Sequence, residues 1–110
     1  MDFKELAVEL LSDVKNYIGI TWPDPEGDKS LTGIISRGMA FVQRLTQRPL
    51  LFEEGTTERA LLLEYCRYAR AGASDDFVVN YLTDINTFRT DEGVAEYVKS
   101  QEQEPADPGV

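Results

Sequence analysis

Two helix-length apolar patterns separated by four residues constrain this chain more than any other feature. In LLLEYCRYARAGASDDFVVNYLTDI, residues 61–85, the first pattern places Leu61, Leu62, Tyr65, Cys66, Tyr68 and Ala69 on one broad face. The second places Phe77, Val78, Tyr81, Leu82, Ile85 and Phe88 on a stripe. Both follow the three-and-four spacing of an amphipathic helix. The break, Ala71-Gly72-Ala73-Ser74, is so short that the two helices must fold back on each other. Leu61, Leu62, Tyr65, Cys66, Phe77, Tyr81, Leu82 and Ile85 are therefore expected in one core, with the helices antiparallel around Gly72.

The rest of the chain repeats this grammar. Phe3, Leu6, Ala7, Leu10, Leu11, Val14, Tyr17 and Ile18 make a first helical stripe, and Gly19 is a natural stop. Ser12-Asp13 leaves open one bent helix or two short ones. A loop by its prolines and glycine, TWPDPEG, follows. Asp28 is expected to cap a second helix with Leu31, Ile34, Ile35, Val42 and Leu45 on its buried side. Gly33 and Gly38 lie inside it and each cost about 1 kcal/mol relative to alanine, so they mark close approach of another helix. Pro49 ends the run, and Leu50-Leu51-Phe52 is an extended connector. Thr56 or Thr57 caps the third helix, and Ser74 or Asp75 the fourth. A short fifth helix, capped by Asp91, would carry Val94, Tyr97 and Val98. No stretch alternates as a strand does, and no internal repeat appears. The expected architecture is all-α: a small bundle of four to five helices in a single domain over residues 1–100, followed by a flexible acidic C-terminal tail over residues 101–110.

Charge narrows the function classes. The net charge is −9, which argues against general binding to nucleic acid or anionic membrane. It is spread unevenly: −4 over residues 1–36, +2 over residues 37–70 and −7 over residues 71–110. An arginine-rich middle between acidic flanks gives opposite charges that can meet on neighbouring copies. A single cysteine, Cys66, rules out a disulfide within the chain and suits a reducing compartment. No apolar run reaches membrane-spanning length, and the acidic amphipathic N-terminus is unlike a signal peptide. A soluble protein made in the cytosol is expected.

The side chains that carry most enzyme chemistry are missing. There is no histidine, hence no imidazole base, metal ligand or triad. No glycine-rich phosphate loop occurs. Cys66, between Tyr65 and Arg67 on a buried helix, reads as an inert core thiol. Asp76, Asn80 and Asp84, at i, i+4 and i+8, would line one helix face and could hold a cation; a solvated face explains them more simply, because a cation cage needs more oxygens and usually a loop. Tyr65, Tyr68, Tyr81 and Tyr97 either stack a ligand or pack in a seam. No catalytic, cofactor or metal site is assigned. The arginines are more informative. Arg37, Arg44 and Arg48 are spaced by seven and four; Arg59, Arg67 and Arg70 by eight and three. Each set lies near one line of its helix, and is either a solvated face or a contact surface. If a contact surface, its partner acids belong to another copy, with Asp76 and Asp84 the first choice.

The order of elements, and LLLEYCRYARAGASDDFVVNYLTDI in particular, resembles the small head–tail connector, or head-completion, proteins of tailed double-stranded-DNA bacteriophages and prophages. SDVKNYIGIT, the loop after it, DKSLTGIISRGMAFVQRLT and RPLLFE resemble that family's opening. Its third helix often ends in a Tyr-x-x-Tyr pair near arginine, here Tyr65 and Tyr68 with Arg67. Its next often carries an aromatic and an Asn-Tyr pair, here Phe77 and Asn80-Tyr81. The likeness covers roughly residues 12–90. It implies a non-enzymatic virion protein without a required cofactor, assembled as a ring at the capsid vertex. That ring meets the portal protein on one side and a tail-completion protein on the other, and extends the channel through which DNA passes. The alternatives are a cytosolic acidic helical adaptor or regulator that binds a protein partner, and, far behind, a small enzyme.

Overall fold

The computed structural model describes residues 3–103 as five helices: α1 (Phe3–Ile18), α2 (Pro25–Gln43), α3 (Thr57–Arg70), α4 (Ser74–Asn80) and α5 (Leu82–Gln103). No strand occurs among the described residues. The all-α bundle read from the sequence is the architecture found.

α1 is continuous through Ser12-Asp13 and buries Ala7, Leu10 and Val14. It ends as expected at Gly19: the amides of Gly19 and Ile20 both return to the Lys15 carbonyl, at 2.9 and 2.8 Å. α2 starts earlier than the expected cap at Asp28. Asp24 is the cap, its side chain accepting from the Gly27 amide at 3.0 Å, and Pro25 fills the first helical position, where no amide is needed. Asp28 instead lies in the first turn and pairs with Lys15 at 2.8 Å, tying α1 to α2.

The two helical glycines separate. A Cβ on Gly38 would press into Leu62 and Tyr65 of α3, whereas one on Gly33 would meet only the Arg37 guanidinium at 3.5 Å. The close approach expected at both therefore occurs at Gly38 alone. The connector to α3 is anchored by the buried side chains of Leu50 and Phe52. The Gln43 amide clamps it, accepting from the Leu50 amide (2.9 Å) and donating to the Arg48 carbonyl (2.8 Å). Thr56 caps α3 through the Arg59 amide.

α3 is the central element, burying Leu61, Leu62 and Cys66 and touching every other helix. It stops at Ala71, and Gly72 (φ +75°) lets the chain return. The cap of α4 is Ala73, with no side-chain hydrogen bond, in place of the expected Ser74 or Asp75. Phe77 is wholly buried and is touched by four rings: Tyr81 at 5.2 Å, Tyr65 at 5.7 Å, Tyr68 at 5.9 Å and Phe41 at 6.0 Å. Each such pair is worth about 0.5–1.5 kcal/mol beyond its buried area.

The main departure lies after Phe77. The helix expected to run through Phe88 breaks at Tyr81 (φ −109°, ψ 17°), where the ring stacks on Phe77. Leu82, expected in the core, is half-exposed as the first residue of α5. The short fifth helix is absorbed into this 22-residue one, and Asp91 lies inside it rather than at a cap. Among residues 82–102 of α5 only Ile85 and Phe88 are buried, so its second half overhangs the bundle. The radius of gyration is 17.0 Å, against about 13 Å for a compact domain of 100 residues. The tail expected from residue 101 is helical through Gln103, and residues 104–110 lie outside the described part.

Candidate interaction surfaces

The fold sorts the six arginines of residues 37–70 into two classes. Three are used within the chain. Arg48 grips Glu92, with Nη2 to Oε1 at 2.6 Å and Nε to Oε2 at 2.9 Å, and reaches Glu58 at 3.5 Å. Arg59 pairs with Asp13 at 2.6 Å. Arg67 donates to Glu64 at 2.7 Å, and its guanidinium lies 4.8 Å over the Tyr68 ring. The other three, Arg37, Arg44 and Arg70, are exposed and have no side-chain partner among the described residues. Arg37 and Arg44 project from α2 opposite its buried stripe Ile35–Met39–Val42. Arg48, grouped with them by spacing, stands beyond the end of α2 and turns back into its own molecule.

A groove of about 700 Å³ separates the first half of α3 from α5. Leu61, Leu63 and Phe88 are among its apolar lining, and carboxylates dominate its polar lining: Glu58, Glu64, Asp84, Asp91 and Glu92 against the single cation Arg48. Glu58 and Glu92 share Arg48. Glu64 accepts from Tyr17 at 3.0 Å as well as from Arg67. Burial pushes the Glu64 carboxyl up, but polar contacts from Arg67, Tyr81 and Tyr17 outweigh it and hold its pKa below the ordinary carboxylate value. The same contacts hold the Tyr17 and Tyr81 hydroxyls protonated to higher pH: burial leads at Tyr17, the Glu64 contact at Tyr81. Asp84 and Asp91 are exposed and have no side-chain partner among the described residues.

Of the two acids chosen from the sequence, Asp84 lines this groove and Asp76 does not. The helix break at Tyr81 falls between Asn80 and Asp84, so Asp76, Asn80 and Asp84 do not share one continuous helix face. Asn80 donates to the Tyr68 hydroxyl at 3.2 Å. Among the described residues no cluster of three or more cysteine or carboxylate side chains could hold a metal ion. Tyr65, Tyr68 and Tyr81 pack around Phe77 as a seam, while Tyr97 is exposed on the overhang of α5. Cys66 is fully buried, and burial pushes its thiol up to about 12, which leaves it protonated near neutral pH.

Sequence reasoning missed Tyr17, Glu64, Asp91 and Glu92. Asp84 and Asp91 are seven residues apart, a spacing visible in the sequence but meaningful only once α5 is known to be continuous. No helix among the described residues is long and apolar enough to cross a membrane. No protein-family model matches the chain, and neither a curated protein nor a solved structure does.

Proposed function

We propose that this chain is a structural virion protein that forms a ring between portal and tail at the capsid vertex, extending the DNA channel and docking the tail. The reading rests on the resemblance of residues 12–90 to head–tail connectors. The observation that carries it beyond resemblance is the surface the fold leaves unused. Arg37 and Arg44 stand bare on the outer face of α2, Asp84 and Asp91 stand bare on α5, and α5 overhangs the bundle with Val94, Tyr97 and Val98 exposed. A chain with opposite charges on separate faces and an apolar projection suits repeated contact with other proteins. The acidic total favours a channel lining that repels DNA rather than grips it, so that DNA slides.

Deleting the gene from the phage or prophage that carries it tests the reading. DNA-filled heads without tails, together with free tails, should accumulate in electron micrographs, and the protein supplied in trans should restore joined particles. Normal tailed particles after deletion would eliminate the connector role and leave the adaptor.

A further inference from the structure

We propose that the α2 ridge bearing Arg37 and Arg44 in one copy lies along the α5 face bearing Asp84 and Asp91 in a second copy of this chain. The contact supplies the neighbour-to-neighbour joint of the ring and in that sense rests on the connector reading. The spacing argues for it first. Arg37 lies on α2 and Arg44, seven residues on, is its C-cap, still in helical backbone geometry; Asp84 and Asp91 are seven apart on α5. Each pair therefore spans two turns, about 10 Å along its axis, on one side of its helix. Two guanidinium groups can thus meet two carboxylates in one alignment, and none of the four has a partner among the described residues.

The surroundings fit the same pairing. On α2 the small residues Gly33 and Ala40 flank Arg37 on this ridge and allow another helix to come close there. The Arg37 guanidinium already lies over Gly33. On α5 the line through Asp84 and Asp91 continues to Val94 and Val98, about half-exposed and without cover. Beside it opens the acid-rimmed groove, whose single cation is already committed to Glu92 and Glu58. Exposed ion pairs contribute little affinity, so the four charges fix register and steer encounter while the apolar line supplies the holding surface. The two faces sit on different helices, so each copy offers one of each. Such a contact is heterologous: it propagates from copy to copy and closes into a ring when its rotation closes.

Crosslinking with a short bismaleimide tests the contact, because buried Cys66 leaves introduced thiols as the reactive ones. Concentrated Arg44→Cys and Asp84→Cys proteins are treated singly, as a mixture, and combined in one chain. The mixture should give a crosslinked dimer in at least about tenfold excess over either protein alone, and the combined variant should give a ladder of longer species. Both should fade near 0.5 M salt, where screening shortens to roughly 4 Å. Repeating the pairing with Arg44→Cys and Asp91→Cys reports the orientation: the Asp84→Cys partner crosslinks if the helices run antiparallel, the Asp91→Cys partner if they run parallel. The absence of a mixed dimer with both the Asp84→Cys and the Asp91→Cys partner, or an equal yield when Asp76→Cys replaces them, overturns the proposal. A second arm needs no cysteine. Arg37→Glu/Arg44→Glu and Asp84→Lys/Asp91→Lys proteins should each stay monomeric by light scattering and associate when mixed; mixed monomers also overturn it. Both arms use purified protein, so they fail or succeed independently of the gene deletion that decides the connector role.

Discussion

A Cβ added to Gly38 would come within 2.7 Å of the Tyr65 ring and 2.8 Å of Leu62 Cδ1, so α2 and α3 meet where α2 has no side chain. Leu62 is wholly buried and has little room to yield. Gly38→Ala should therefore lower stability by about 1–3 kcal/mol despite the gain in helix propensity. Gly33→Ala meets only a mobile guanidinium and should raise stability by up to about 1 kcal/mol. Urea unfolding of the two variants decides it, and equal shifts in one direction would contradict the difference in packing.

Arg48 holds α5 to the start of α3. Glu58 is 5% exposed, and Arg48 is its ion-pair partner. Arg48→Met strands both Glu58 and Glu92, and should cost about 1–3 kcal/mol. Adding Glu58→Gln and Glu92→Gln should recover part of that loss, since no bare carboxylate then remains. Amide exchange should also quicken in α5 beyond Glu92. An unchanged midpoint for Arg48→Met would show that the triad holds nothing.

The Glu64 carboxyl gives a pH signature. Its folded pKa is depressed below the ordinary value of about 4.3. It therefore contributes stability that is present above that value and lost as pH falls through the lower folded pKa. Glu64→Gln should melt below the unaltered protein above about pH 5, and the gap should close as pH falls through the lowered folded pKa. The effect should be small, because the site is only partly buried and water screens it. A gap that widens on acidification would reverse the sign and refute the assignment.

The end of α5 should be dispensable for folding. Residues 93–102 are all exposed, and none of them belongs to the bundle core. A chain ending at Ser100 should melt within a few degrees of the full one, because little apolar burial is lost. A large fall in melting temperature would mean that the removed segment packs on the bundle.

The sequence carried most of the core and little of the surface chemistry. Leu61, Leu62, Cys66, Phe77 and Ile85 follow helical spacing and are buried, because burial on a helix is periodic. The break at Tyr81 has no glycine or proline to announce it; ring packing on Phe77 accompanies it, and packing is a tertiary fact. Arg48 shows the same limit. Its bond to Glu92 joins residues 44 apart through a turning connector, so spacing along α2 could not separate it from Arg37 and Arg44. The seven-residue match between Arg37–Arg44 and Asp84–Asp91 was present in the letters, but it depended on where α5 begins and ends.

Each helix of this bundle packs chiefly on the one before it and the one after it. Contacts so local in sequence make for fast folding, since little loop entropy must be lost before a contact forms. They also set an order in time. During synthesis α1, α2 and α3 can close around Ile35, Met39 and Leu62 while α5 is still inside the ribosome. The overhanging helix emerges after them, and its Ile85 and Phe88 complete the core. On the contact proposed above, a nascent chain would accordingly display both complementary faces only after most of its core had closed.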